Sequence, residues 1–287
     1  MMPPPCDYRK RTRRRNVLEG AEPLRMALIR RPSLRALVAG VSLALLVTPL
    51  AAARHGLPKR VDRAQDCDEY VPEKAKVMSN PGSDLALDVT VLHDGLGKPE
   101  AEAIVAKAAQ AYSPLNITLT PTYKKVTFEA DAGSQPPAAS ASALLQQAKA
   151  LSVGARPTGS DAVLVLTTKD LYLATEDVVG YSDCIGGIRY ADRAFAVAEA
   201  FDQKVSTGGL NFYVDLPAKT AAHELGHLLG ARHEHANCVE GISTNDVGTG
   251  EASPCTLMTN SVDVQSLNFG TLEAGIVRAH AESYAAP

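Results

Sequence analysis

Residues 223–233 read His-Glu-Leu-Gly-His-Leu-Leu-Gly-Ala-Arg-His, and this run leaves the backbone little choice. His223 and His227 are four apart, so they share one face only if the segment is helical. Gly230 follows three residues later. Glycine enters the left-handed region without a steric penalty, so the helix can stop there and the chain can turn back. The turn returns His233 toward the two helical histidines. A helix, an abrupt stop and a reversal are therefore required together.

The same spacing has a chemical meaning. Imidazoles one helical turn apart can both reach a single tetrahedral zinc at about 2.0–2.1 Å, and His233 would supply the third nitrogen. Three neutral ligands leave the ion its full charge and one open position, where the pKa of water falls to about 7. Glu224 is rotated away from the ligand direction yet stays near that open side. It is the candidate general base, taking a proton as water attacks a peptide carbonyl and returning it to the amine. The plainer alternative is a helix with two surface histidines and a C-terminal glycine. Against it, five positions match at once and three of the chain's seven histidines are used.

Upstream, the pattern predicts alternating elements. Leu85, Leu87, Val89 and Val91 alternate with less apolar residues, as in a half-buried strand. A helix opens at Pro99 with its apolar stripe at Ala101, Ile104, Val105, Ala108, Ala109 and Tyr112. A second strand is expected over about 117–128, a surface loop over 130–142 and a short helix over 143–151. Residues 162–166 form an unbroken apolar run, the mark of a buried central strand. Further strands are predicted near 180–188 and 195–200. The motif helix is predicted to start at Leu216 or Pro217 with Asp215 as its cap, and a last helix to run over about 272–284. This order implies an α/β (α+β) domain with a mixed sheet over residues 85–287.

Charge and cysteines point to export. Ten of the 29 Lys and Arg residues lie in residues 1–53, against three of the 32 acids, so residues 54–287 carry about −10. An acidic body excludes nucleic acid as a partner. Arg30, Arg31 and Arg35 precede the apolar run 36–50, which ends in Ala51-Ala52-Ala53, the pattern of a secretory signal peptide. Residues 1–53 are accordingly read as a signal, with 1–25 either an extended n-region or a misplaced start. Residues 54–84 are read as a lead-in or short pro-segment. An uncleaved membrane anchor is the alternative; counted through Ala53 the run is 18 residues, contains Pro49 and is shorter than the roughly 20 a spanning helix needs. After cleavage no stable membrane association is expected. Four cysteines remain, an even number that reads as two disulfides. Cys238 with Cys255 brackets one loop, leaving Cys67 with Cys184, unless Cys67 is instead a thiolate that caps the zinc before activation.

With these residues in view, the chain resembles the metzincin clan of zinc endopeptidases. The resemblance rests on His223, Glu224, His227, Gly230 and His233, followed 25 residues later by Met258, which matches the clan's methionine turn beneath the metal. A cysteine shortly before that methionine, Cys255, is most similar to the reprolysin (adamalysin)-like group. Two departures stand out: Glu234 follows the third histidine where reprolysins carry Asp, and Thr259 and Asn260 follow Met258 where astacins carry Tyr. The resemblance implies a zincin fold with a twisted mixed sheet, an active-site helix and a small C-terminal subdomain after His233. It also implies a secreted endopeptidase that takes peptide or protein substrates against an edge strand near 180–188; nothing in the sequence suggests an oligomer, and the chain is read as a monomer. Gly186 and Gly187 read either as room for a substrate backbone or as a simple turn. A domain of this kind that binds a partner without turnover is the competing reading, and the intact Glu224 argues against it.

Overall fold

Period-two alternation builds the central sheet. In chain order the first elements are β1 (Gln65–Asp66), β2 (Leu85–Asp94), α1 (Lys98–Ala108), β3 (Ile117–Val126), β4 (Ala138–Ser140) and α2 (Ala141–Ala150). Next come β5 (Ala162–Thr167), β6 (Asp170–Leu173), β7 (Glu176–Asp177), β8 (Gly180–Ser182), β9 (Cys184–Ile185) and β10 (Phe195–Glu199). The chain continues through β11 (Ser206–Thr207), β12 (Leu210–Asn211), α3 (Asp215–Leu228), β13 (Cys238–Val239), β14 (Ser253–Pro254) and α4 (Thr271–Tyr284). This computed structural model describes residues 65–67, 82–134, 137–200, 206–207, 210–211, 215–233, 238–239, 253–259 and 266–285. The expected signal at 1–53, most of the lead-in, Glu234 and Asn260 lie outside the described residues.

Five strands form the main sheet in the order β3-β2-β5-β10-β8. The first four run parallel, and β8 closes one edge antiparallel to β10. Alternate residues of β5 and β10 serve opposite faces. Leu164, Leu166, Ala196 and Ala198 join the core layer that holds α1, α3 and α4. Val163, Val165, Phe195 and Val197 join the layer under α2, with Leu144, Leu145 and Ala148. The small side chains at Ala196 and Ala198 face Ala218, Ala221 and Ala222 within one core. Alanine against alanine lets the axis of α3 lie close to the sheet.

The sequence reading differs from the structure at a few places. The loop expected at 130–142 contains β4, which pairs with β6, and α2 starts at Ala141. The strand expected over 180–188 is broken into β8 and β9 followed by a 3₁₀ turn at Gly187–Arg189. Asp215 is the first helical residue of α3 and not its cap. Part of the lead-in is ordered: β1 pairs in parallel with β9, and Cys67 donates from its amide to the Ile185 carbonyl. Cys67 and Cys184 are joined by a disulfide, with Cα atoms 5.5 Å apart. In this structure Cys67 is therefore not a free thiol. Cys255 is also disulfide-bonded, while the side chain of its expected partner Cys238 lies outside the described residues. Among the described residues no helix is long and apolar enough to cross a membrane.

Candidate metal centre

The helix α3 ends as the glycine demanded. Gly230 has φ +88°, its amide donates to the His227 carbonyl, and the Ala231 amide donates back to Gly226. These two bonds close a Schellman turn and satisfy the last carbonyls of the helix. A second constraint acts on Gly230, because an added Cβ would lie 2.6 Å from Nε2 of His280 on α4. The turn carries the chain back so that His233 meets the helical pair.

The three imidazoles converge. Nε2 of His223 lies 2.8 Å from Nε2 of His233 and 3.0 Å from Nε2 of His227, and the third separation is 3.1 Å. The opposite ring nitrogens are occupied. Nδ1 of His223 is 2.7 Å from the Leu257 carbonyl, and Nδ1 of His227 is 2.8 Å from the Ala231 carbonyl. A carbonyl only accepts, so each Nδ1 carries the proton and each Nε2 presents a lone pair. Lone pairs facing one another at about 3 Å repel unless a cation lies among them. A tetrahedral ion with bonds of about 2.0–2.1 Å holds its nitrogens roughly 3.3 Å apart. The triad lies within about half an ångström of that spacing, so it fits such an ion.

Electrostatics favour the neutral ligand form. Burial lowers the His227 pKa to about 3, with help from His233. Burial, then His227 and His233, holds His223 well below its ordinary value. His223 and His227 are nearly enclosed, 8 % and 4 % exposed respectively.

Met258 lies in a turn packed beneath α3. Residues 256–259 form a tight turn closed by the Thr259 amide on the Thr256 carbonyl, and Met258 is fully buried. A Cβ added at Gly226 would lie 3.1 Å from Sδ of Met258 and 3.0 Å from the Phe269 ring. The methionine thus packs under the helix between its two histidines, and the adjoining Leu257 carbonyl orients one of them.

Glu224 is 7 % exposed. Ser182 Oγ, on the edge strand β8, lies 2.7 Å from Glu224 Oε2 and 2.7 Å from its main-chain carbonyl. Tyr112 closes the other side, its hydroxyl donating to the Ala222 carbonyl at 2.6 Å. The glycines at 186 and 187 take the turn reading. Gly186 has φ +81° and Gly187 abuts the Arg193 carbonyl and Leu228. Gly186 also donates its amide to the His227 carbonyl at 2.8 Å. Sequence reasoning did not single out Ser182, Gly180 or His280, and it counted Tyr112 only as part of an apolar stripe.

Two buried histidines on a helix and a third, half-buried, beyond its terminal turn form a candidate metal centre, with a carboxylate beside it and a sheet edge alongside. The sequence matches metallo-peptidase family M12 over residues 98–269. The chain belongs to that family and is a zinc metalloprotease. The fold is similar to that of an archaemetzincin from Methanopyrus kandleri, with a TM-score of 0.50 and 21 % identity over 69 % of this chain and 96 % of that one. An archaemetzincin from Archaeoglobus fulgidus, complexed with malonate, matches at 0.45 and 18 % identity over 66 % and 99 % of the two chains. Comparison with curated proteins by sequence yields no match.

Proposed function

We propose that the protein is a secreted endopeptidase in which His223, His227 and His233 hold zinc and Glu224 is the general base. The convergence of three imidazole nitrogens within 3.1 Å carries the metal assignment. Zinc bound there supplies Lewis acidity, which polarises a carbonyl and makes water a proton donor near neutral pH. Glu224, one residue from a ligand and held at the foot of the edge strand, receives the proton of the attacking water and returns it to the departing amine. The edge of β8 is a place for an extended substrate to add as a further strand, which favours peptide and protein substrates. Residues 1–53 serve as a removable export signal, and residues 85–287 form the catalytic domain. The charge pattern of the first 53 residues and the Cys67–Cys184 disulfide support secretion, because disulfides persist in oxidising compartments.

Casein cleavage by the purified protein, with and without a zinc chelator, tests this reading. Chelation is expected to abolish cleavage and added zinc to restore it. Glu224→Ala is expected to keep one zinc per chain yet lose at least a hundredfold in kcat, the scale of general-base assistance. A Glu224→Ala protein with full activity would falsify the assignment of the base.

A further inference from the structure

The edge strand β8 touches Glu224 at two alternate residues. Ser182 Oγ reaches Glu224 Oε2 at 2.7 Å, and Ser182 is only 1 % exposed. Two residues earlier, Gly180 lies against the same carboxylate. A Cβ added there would stand 2.6 Å from Glu224 Oε1, 2.8 Å from Glu224 Cγ and 2.6 Å from Thr220 Cγ2. Residues two apart on a strand face the same way, so this pair forms one cradle: a hydroxyl on one carboxylate oxygen and bare backbone against the other.

The cradle is anchored from its opposite face. Asp183 points away from α3, and its Oδ2 lies 2.9 Å from Lys149 Nζ and 2.9 Å from Arg193 Nε. Its amide donates to the Phe195 carbonyl at 2.9 Å, and the next residue, Cys184, is held by the disulfide. A strand fixed at successive residues by an ion pair, a sheet bond and a covalent link has little freedom to move relative to α3.

We propose that Ser182 and Gly180 are positioning residues for Glu224. Ser182 donates to Oε2 and fixes the carboxylate rotamer, and the missing side chain at position 180 leaves room for Oε1. The proposal rests on Glu224 being the base. A hydroxyl has one proton, and the Glu224 carbonyl competes for it at the same distance. The experiment therefore has to separate a bond that aims the carboxylate from one that staples strand to helix.

Steady-state kinetics on a fluorogenic peptide do so, with zinc content and Tm measured on each zinc-loaded variant. Ser182→Ala is expected to lower kcat about tenfold or more, as for a lost hydrogen bond to a charged group. KM should stay within about twofold and zinc at one per chain. Ser182→Thr, which keeps the hydroxyl, should recover most of the rate. Gly180→Ala should show the same kcat loss by displacing Oε1, and it decides the matter if Ser182→Ala does not fold. In a Glu224→Ala background, adding Ser182→Ala should cost nothing further, because residues acting through one group are not additive. The proposal is overturned if Ser182→Ala keeps its kcat, if its loss follows zinc content or folded fraction, or if the two losses add. Failure of the base assignment looks different: Glu224→Ala alone would then stay active.

Discussion

Gly230→Ala isolates the turn that makes a helix with two histidines into a three-histidine centre. Two costs are separable in the structure. Alanine at φ +88° must adopt the left-handed conformation, at roughly 1–2 kcal/mol. Its Cβ would also stand 2.6, 2.8 and 3.1 Å from Nε2, Cδ2 and Cε1 of His280. All three atoms belong to one ring on α4, which must retreat by several tenths of an ångström. Overpacking of that kind costs roughly 1–3 kcal/mol, so the whole change is about 2–5 kcal/mol. The turn also carries the Ala231 carbonyl that orients His227 and leads directly to His233. Part of the loss should thus appear in the metal affinity, where each 1.4 kcal/mol is tenfold.

Urea denaturation of the zinc-free protein and competition titration against a chromophoric chelator measure the two parts. The expected result is a stability loss in that range and zinc binding weakened at least tenfold. In a His280→Ala background the steric part disappears, and Gly230→Ala should cost only about 1–2 kcal/mol. The reasoning is refuted if Gly230→Ala leaves both stability and zinc affinity unchanged, or if the cost is the same with and without the His280 ring.

Two further outcomes follow from the site and its flank. His227 falls from an ordinary 6.5 to about 3 through burial, and His223 moves the same way. Below pH 6.5 the unfolded chain binds protons that the folded chain refuses. The stabilisation is complete above that pH and is lost as pH falls toward 3, by up to about 1.4 kcal/mol per pH unit for each imidazole. Thermal melts of the zinc-free protein from pH 7.5 to 4.5 should show a falling Tm, and a flat profile would contradict the burial argument. The Cys67–Cys184 bridge spans 117 residues of sequence. Chain entropy for a closed loop of that size is worth about 4–5 kcal/mol. Cys67→Ser with Cys184→Ser should lower the urea midpoint accordingly, and a shift worth less than about 1 kcal/mol would show that the unfolded chain is not the state being constrained.

What could be read from the sequence was whatever geometry ties to residue type. Histidines four apart and a glycine three further on fix a helix and its end, so His223, His227, Gly230 and His233 meet as their spacing required. The uninterrupted apolar run of β5 announced a strand covered on both faces, and Leu164 and Val165 enter opposite cores. What could not be read has no residue signature. The carbonyls that orient His223 and His227 belong to Leu257 and Ala231, and any residue carries a carbonyl. Ser182 reaches Glu224 across 42 positions of sequence, and serine is common on strands and loops alike. β4 is only Ala-Ala-Ser. It is extended because β6 supplies a partner, not because its side chains prefer a strand. The glycines at 186 and 187 could be read from the sequence as substrate space or as a turn, and it took the packing against Arg193, Leu228 and His280 to show the turn.

The division between these two sets has a thermodynamic consequence. The three imidazoles come from α3 and the chain just after it, and their directions come in part from elsewhere. The Leu257 carbonyl fixes His223 from the methionine turn, Ala231 fixes His227, and the edge strand fixes Glu224. Ala231 lies in the turn that ends α3, but Leu257 and Ser182 are remote in sequence, so His223 and Glu224 are aimed only when methionine turn and sheet edge are docked on the helix. Once docked, the Nε2 lone pairs are forced to within 3.1 Å of one another inside a buried site that resists protonation. Folding without the ion therefore builds repulsion into the centre of the domain. Zinc held there would remove that repulsion and bind only the docked state, so its binding free energy would add to the folding free energy. A metal held by the three imidazoles would therefore staple α3 to the methionine turn as well as supply the chemistry.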